Sequence, residues 1–141
     1  MFTRAELRKL LDGRRKSRPL HIFDLSSPIA EALGCGKVAV YLSWHTIQKQ
    51  RKQHAELTID DYFRIPSVLK GSLVVKDTPY SIILAGQEND HPSRFFRASV
   101  KTDWLRDGLF LQSYHILTPK KVQKLRDRHD VLHDPLKQTG G

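Results

Sequence analysis

The chain has 141 residues, 39% of them hydrophobic and 28% charged, a composition typical of one globular domain rather than of a disordered chain. Twenty-four Lys and Arg residues against fifteen Asp and Glu residues give a formal net charge of +9, which favours nucleic acid as partner before an anionic membrane surface. No apolar run approaches the roughly 20 residues of a membrane span, no apolar signal core begins the chain, and the single Cys35 excludes an internal disulfide. We therefore expect a cytoplasmic protein without a membrane partner.

The first part of the chain indicates short helices joined by a basic linker. Thr3 and Glu6 have the spacing of a capping box, which predicts a first helix. The sequence GRRKSRP follows as the linker, and Ser27-Pro28 begins a second short helix that ends at Gly34.

A short strand and a basic helix are predicted next. Val38, Val40 and Leu42 occupy alternate positions, which is typical of a strand, and lead into LSWHTIQKQRKQH, residues 42–54. Ser43 stands where a helix N-cap is expected, and this purely structural role is as compatible with the pattern as a role in a site.

The helical phase of residues 42–54 divides their basic side chains between two sides. His45, Lys49 and Lys52 form one basic stripe, whereas His54 falls on the side of Ile47, close to the end of the helix. A histidine there is suited to moving a proton near neutral pH, although a packing role is equally compatible. Lys49 and His54 do not share one face, so the helix must end or bend before His54 if both are to reach one phosphate.

From residue 71 the pattern changes from helical to β. The runs SLVVK, YSIILAG, RFFRASVK and GLFLQSYHIL are separated by the turn-like sequences DTP, QENDHPS and TDWLRDG, which predicts an antiparallel meander. Thr118-Pro119 then begins a final helix. The predicted fold class is α+β, with N-terminal helices followed by a four-stranded antiparallel meander sheet and a C-terminal basic helix. The predicted divisions are an N-terminal helical segment at 1–36, an α+β domain at 37–130 and a flexible tail at 131–141.

Cationic side chains alternate along the run RFFRASVK. Arg97 and Lys101 share one face of the predicted strand, about 13 Å apart at 3.3 Å per residue. Such a pair can follow a phosphate backbone, and one of its members can stabilise charge that grows on phosphoryl oxygens. An ordinary solvated strand face is the alternative.

The run GLFLQSYHIL is polar at its end. Strict alternation groups Leu109, Leu111, Ser113 and His115 on one side and Phe110, Gln112, Tyr114 and Ile116 on the other. Either Ser113 with His115 or Gln112 with Tyr114 can then form a polar patch, and the pattern does not choose between them.

Sequence motifs for a metal or a nucleotide cofactor are missing. There is no HExxH, no acid-rich pair of the kind that holds two metal ions, and no phosphate-binding glycine loop. His129 and His133 are four residues apart in a basic segment, which is a weak signal. We expect neither a metal nor another cofactor.

The order of these pieces resembles the phage-associated members of the barnase/EndoU/colicin/RelE-like nuclease superfamily. Those members carry an "LS..T..K....H" helix, a tyrosine-containing helix with an "lP" step, and four antiparallel strands with a cation in the third and Ser or Thr in the fourth. The counterparts here are LSWHTIQKQRKQH, DYFRIPSVL, RFFRASVK and GLFLQSYHIL, and the resemblance covers about residues 38–116. The resemblance implies metal-independent cleavage of RNA, in which the 2′-hydroxyl attacks the adjacent phosphate.

The resemblance also implies site residues. His54 becomes the proton-transfer group, Lys49 and Lys101 contact the phosphate, and Ser113 orients a phosphate oxygen or the 2′-hydroxyl. Two departures are the lack of an obvious carboxylate base, with Glu56 nearby, and the competing His115. The predicted catalytic residues are His54, Lys49, Lys101 and Ser113, and the predicted substrate-binding residues are Ser43, Thr46, Arg97 and His115.

A toxin-like or prophage-encoded endoribonuclease is the first functional hypothesis, with RNA as substrate, tRNA among the candidates, and an immunity or antitoxin protein as a further partner. A non-catalytic module that binds nucleic acid through the same basic residues is the second. A phage or virion-associated domain whose basic surface meets an acidic protein is the third.

Overall fold

One mixed sheet of seven strands organises the part of the chain that the computed structural model describes, residues 1–88 and 94–138, with backbone only for 137 and 138. The helices are α1 (Arg4–Leu11), α2 (Ser27–Ala32), α3 (Trp44–Gln53), α4 (Ile59–Phe63), α5 (Ile65–Leu69) and α6 (Pro119–Arg128). The strands are β1 (Leu20–Asp24), β2 (Ala39–Leu42), β3 (Leu73–Thr78), β4 (Ser81–Gln87), β5 (Phe95–Asp103), β6 (Gly108–Leu117) and β7 (Asp130–His133). A short 3₁₀ helix, Pro135–Gln138, follows β7.

The strand order β1-β2-β6-β5-β4-β3-β7 corrects the predicted sheet. The strands β3 to β6 are antiparallel neighbours as expected, but the four-stranded antiparallel meander is wrong as a description of the whole sheet. The strand β2 pairs with β6 in parallel, and β1 and β7 extend the two edges. Both edge strands are short, with five and four residues, so their pairing with a neighbour, rather than a pattern of their own, makes them strands.

The strand β7 includes residues 131–133, which the sequence placed in a flexible tail, and pairs with β3. Most of the predicted turn QENDHPS (residues 89–93) and the end of the predicted tail (139–141) lie outside the described residues.

The main hydrophobic core lies between one face of the sheet and the helices α1, α3, α4 and α5. Alternate residues of β5 supply its centre, and Phe96 stacks on Tyr114 of β6 with ring centroids 4.9 Å apart. Leu7 and Leu10 of α1 and Ile47 of α3 are fully buried against this face. The apolar stripe of each helix thus covers the sheet, as expected for a domain of this class.

The opposite face of the sheet is covered only in part. Val122 and Leu125 of α6 pack on the half formed by β3 and β4, in a second core cluster that also includes Leu117. The neighbouring half, formed by β5 and β6, carries polar side chains. We call this half the outer face and define it by Arg97, Ser99, Lys101, Phe110, Ser113 and His115.

A β-bulge in β6 decides which of its residues reach the outer face. Ser99 is opposite Ser113 but Val100 is opposite Leu111, so Gln112 is an extra residue. The strict alternation predicted for this strand is therefore wrong across the bulge: Leu111 faces the main core, and Phe110 shares the outer face with Ser113.

Candidate active site on the outer face

The helix α3 lies along the edge of β6 where β2 no longer pairs with it. The strand β2 contacts only Leu109 and Phe110 in register. Beyond that point the hydroxyl of Thr46 donates a hydrogen bond to the carbonyl of Leu111 at 3.1 Å, and Ser43 accepts one from the backbone N–H of Thr46 at 3.3 Å. The start of the helix is thus capped and tied to the strand at the same place.

Gln50 fixes the next turn of α3. Its side-chain N–H donates to the carbonyl of Tyr114, and its side-chain oxygen accepts the backbone N–H of Tyr114 at 3.1 Å. The amide therefore replaces the missing strand neighbour of β6, and Gln50 is fully buried in doing so. The helix ends at Gln53, and His54 leaves the helical conformation, with φ −138° and ψ 57°. The helix thus ends before His54, as it must if Lys49 and His54 are to reach one phosphate, and that shared reach stays a prediction.

Two histidines meet where α3 ends. The ring of His54 stacks on that of His115, with centroids 4.7 Å apart and planes inclined by 16°. Glu56 follows in the same loop, with its Oε1 3.8 Å from Nδ1 of His54. On the other side of β6, Arg97 is the register partner of His115. Three strongly polar groups and a carboxylate from separate parts of the sequence thus converge on one place.

The surroundings of His115 favour its neutral form. Burial, followed by the nearby His54, Arg97 and Lys121, lowers the pKa of His115 from 6.5 to about 4, against a smaller opposite effect of Glu56. The imidazole is therefore neutral at pH 7 and able to accept a proton.

Arg97 brings an unneutralised cation to the histidine pair. Within 4 Å it has no carboxylate partner among the described residues, although its side chain is half-buried. The Nε of Arg97 and the Nδ1 of His115 are buried, and neither has a hydrogen-bond partner within the described part of the chain. A half-buried, unpaired guanidinium is costly to keep in a protein, and it is suited to an anionic ligand.

The predicted site residues do not all converge. Ser113 is half-buried on the outer face, two residues from His115. Lys101 is exposed on the same face but opposite Phe110, four residues from Arg97. Lys49 is half-buried on α3, in a surface depression that it shares with Trp44, His45 and Lys52.

Ser43 and Thr46 are buried, with 8% and 4% of their surface exposed, and their hydroxyls are engaged in the cap and edge contacts of α3. Those contacts supply a structural reason for both residues. Their predicted part in substrate binding stays a prediction.

Two contributors were missed from the sequence. Lys121 lies in the first turn of α6, only six residues after His115, and its positive charge acts on that histidine. The predicted helix start at Thr118-Pro119 was the available signal. Gln50 was also missed; it lies four residues after Thr46 on one helix face, a polar pair with the spacing that lets both reach the same strand edge.

A cavity in the described part of the chain lies away from this site. It has a volume of about 730 Å³, is lined by parts of β1, α2, α5, β3 and β7, and shares no residue with the histidine pair. Its lining is mainly apolar, and His21 beside it is engaged with Asp24 at 2.7 Å. Among the described residues no three His, Cys, Asp or Glu side chains are grouped as metal ligands.

Comparisons of the chain with models of protein families, with curated proteins and with solved structures found no match. Within residues 1–88 and 94–138, none of the helices combines the length and the apolar character needed to cross a lipid bilayer. The side chains of the outer face and the charge of the chain are therefore the features that bear on function.

Proposed function

We propose that this protein is a metal-independent endoribonuclease that cleaves RNA by attack of the 2′-hydroxyl on the adjacent phosphate. The observation that carries the proposal is the stack of His54 on His115 beside the unpaired Arg97. The reaction needs one group to take a proton, one to give a proton, and a cation for the phosphoryl oxygens. The net charge of +9 supports a polyanionic substrate.

The two histidines have different surroundings, which suggests different roles. His115, with its pKa lowered to about 4, takes the proton of the 2′-hydroxyl as the O2′–P bond forms. His54 in its protonated form, with the Glu56 carboxylate 3.8 Å from its Nδ1, gives a proton to the 5′-oxygen as the P–O5′ bond breaks. The products are a 2′,3′-cyclic phosphate and a free 5′-hydroxyl.

The stacked arrangement is compatible with in-line displacement. The attacking and leaving oxygens lie on opposite sides of phosphorus, and two parallel rings 4.7 Å apart can each reach one of them from the same side. The positive charges of Arg97 and Lys121 act on His115, and these two cations would stabilise charge on the remaining phosphoryl oxygens.

The hydroxyl of Ser113 lies two residues from His115 on the same face and is a candidate donor to a phosphate oxygen. Lys101 lies four residues from Arg97 along β5, and Lys49 lies in a surface depression with Trp44; both would contact neighbouring phosphates rather than the scissile one. We further propose a cytoplasmic, toxin-like or prophage-encoded protein that acts on RNA, with tRNA among its candidate substrates and an acidic immunity or antitoxin protein as partner.

Incubation of the pure protein with tRNA or total RNA in EDTA tests the proposal. We expect fragments that end in 2′,3′-cyclic phosphate or 3′-phosphate. His54→Ala should lower the rate by about 10²–10⁴-fold, because it removes a proton-transfer group. His45→Ala is the matched control, since His45 is an exposed histidine on the same helix. RNA that is bound but left intact by the wild-type protein would show that catalysis is wrong.

The exposed Lys101, distant from the histidines, supports a second candidate: a module that binds nucleic acid without cleaving it. Such a module would bind with a salt dependence set by the number of phosphates contacted. Lys101→Ala would then lose a modest amount of affinity for any sequence and no turnover would be found in the wild-type protein.

A further inference from the structure

A row of planar side chains crosses three strands of the sheet beside the outer face. His21 of β1 is the register partner of Tyr41 of β2, and Tyr41 is the register partner of Phe110 of β6. The ring centroids of His21 and Tyr41 are 5.6 Å apart, and those of Tyr41 and Phe110 are 5.8 Å apart. Because register partners point to the same side of a sheet, the row continues the surface that carries the histidine pair.

Arg106 completes this row from the turn between β5 and β6. Its guanidinium carbon lies 3.6 Å from the centre of the Phe110 ring, a close cation–π contact. Asp103 holds the guanidinium in place through a 2.7 Å contact with Nε. Phe110 itself is buried, but the side chain of Arg106 above it is 43% exposed. A ligand can therefore contact this end of the row through Arg106.

The row is separated from the histidine pair by a defined length of strand. Phe110 is opposite Lys101 in β5, and His115 is opposite Arg97. Arg97 and Lys101 are four residues apart, or about 13 Å along the strand. Lys101 is exposed, and within 4 Å it has no carboxylate partner among the residues that the structure describes. A row of rings tilted by 34–42° from one to the next, an exposed cation and the histidine pair therefore follow one another along a single face.

We propose that His21, Tyr41, Phe110 and Arg106 form a stacking platform for a base of single-stranded RNA. Lys101 contacts the adjacent phosphate, and the strand continues along β5 and β6 to the histidine pair. Unpaired bases stack on aromatic rings and on arginine planes, whereas a duplex hides the faces of its bases. The platform thus selects single-stranded RNA over duplex. This inference rests on the proposed function of the histidine pair for the direction of the strand, but the binding itself does not require cleavage.

Binding of a fluorescent single-stranded 2′-O-methyl oligouridine, followed by anisotropy in EDTA, tests the platform without cleavage, because the methyl group blocks the attacking oxygen. Tyr41→Leu removes the ring but keeps an apolar side chain, and we expect it to weaken binding about tenfold, as loss of one base–aromatic stack does. Tyr41→Phe keeps the ring and should bind like the wild type. Arg106→Gln should also weaken binding, which gives a second variant if Tyr41→Leu folds poorly.

A duplex of the same chemistry and a control tyrosine make the test specific. Tyr80→Leu removes an exposed tyrosine that packs on Trp104 outside the row, and it should leave oligouridine binding unchanged. Binding of the duplex should change little in any platform variant. Unchanged oligouridine binding in both Tyr41→Leu and Arg106→Gln, with the fold intact by circular dichroism, would overturn the platform.

Cleavage supplies the readout that separates the two proposals. If the protein cuts RNA, Tyr41→Leu should raise KM for a long single strand and leave cleavage of a dinucleotide unchanged, because a dinucleotide does not reach the platform. If the wild-type protein binds oligouridine through Tyr41 but cuts no RNA, the stacking platform is supported and the proposed endoribonuclease activity is wrong. Equal loss on the long strand and on the dinucleotide would overturn the platform and leave the nuclease in place.

Discussion

The neutral state of His115 has a consequence for stability that does not depend on any substrate. In the folded chain its ring is partly buried between His54, Arg97 and Lys121, and its pKa is lowered from 6.5 to about 4. In the unfolded chain the same imidazole has its ordinary pKa. Between those two values the unfolded chain binds a proton that the folded chain does not bind, so stability falls as the pH is lowered.

The size of this effect follows from the two pKa values. A difference between 6.5 and about 4 corresponds to roughly 3 kcal/mol if the ring were fully shielded from water. His115 is only half-buried, and solvent screening reduces the expected loss to about 1–2 kcal/mol. The full stability is present above about pH 6.5, and the loss is complete near pH 4. His115→Phe keeps a ring for the stack with His54 and removes the titration.

Urea denaturation between pH 4 and pH 7 measures the effect. We expect the free energy of unfolding of the wild type to fall by about 1–2 kcal/mol more than that of His115→Phe over this range. His45→Asn, a change of an exposed histidine on α3, should keep the pH dependence of the wild type. If His115→Phe and the wild type lose the same free energy between pH 7 and pH 4, the account of His115 is wrong.

Two further predictions concern the contacts that set the fold around the site. Gln50→Leu leaves the N–H and the carbonyl of Tyr114 without partners, and the free energy of unfolding should fall by about 2–4 kcal/mol in urea denaturation; a loss below about 0.5 kcal/mol would contradict the edge contact. In Gly86→Ala the new Cβ would stand 2.0 Å from the carbonyl oxygen of Val68, so α5 must move away from β4 and stability should fall by about 1–3 kcal/mol. Gly36→Ala, where nothing lies within 4 Å of the new Cβ, should stay within about 0.5 kcal/mol of the wild type by the same measurement.

The local parts of the fold follow from the sequence. The capping box of Thr3 and Glu6 forms at the start of α1, and the alternating runs after residue 71 form the antiparallel strands β3 to β6. Both features depend on residues close together in the chain, whose spacing carries the information. The strands β1 and β7 depend on partners elsewhere in the chain, and the parallel pairing of β2 with β6 joins residues about 70 positions apart. No local pattern encodes such a pairing.

The candidate site is partly local and partly not. Alternation in GLFLQSYHIL correctly grouped Ser113 with His115, since both lie beyond the bulge. The same alternation misplaced Leu111, because one extra residue at Gln112 reverses the two faces of a strand. The meeting of His54 with His115 depends on where α3 ends and on which strand edge it covers. Sequence periodicity could therefore identify each histidine as a candidate site residue, but it could not predict that the two rings are in contact.

A double-mutant cycle of the histidine pair shows whether His54 and His115 act together in one reaction step. The rate of RNA cleavage in EDTA would be measured for the wild type, His54→Asn, His115→Asn and the double variant, each shown to be folded. If the two rings act as acid and base in one step, each single change should lower the rate by about 10²–10⁴-fold and the double change should cost little more. If the rate loss of the double variant equals the product of the two single losses, the two histidines act independently. Full activity in either single variant would contradict the proposed active site.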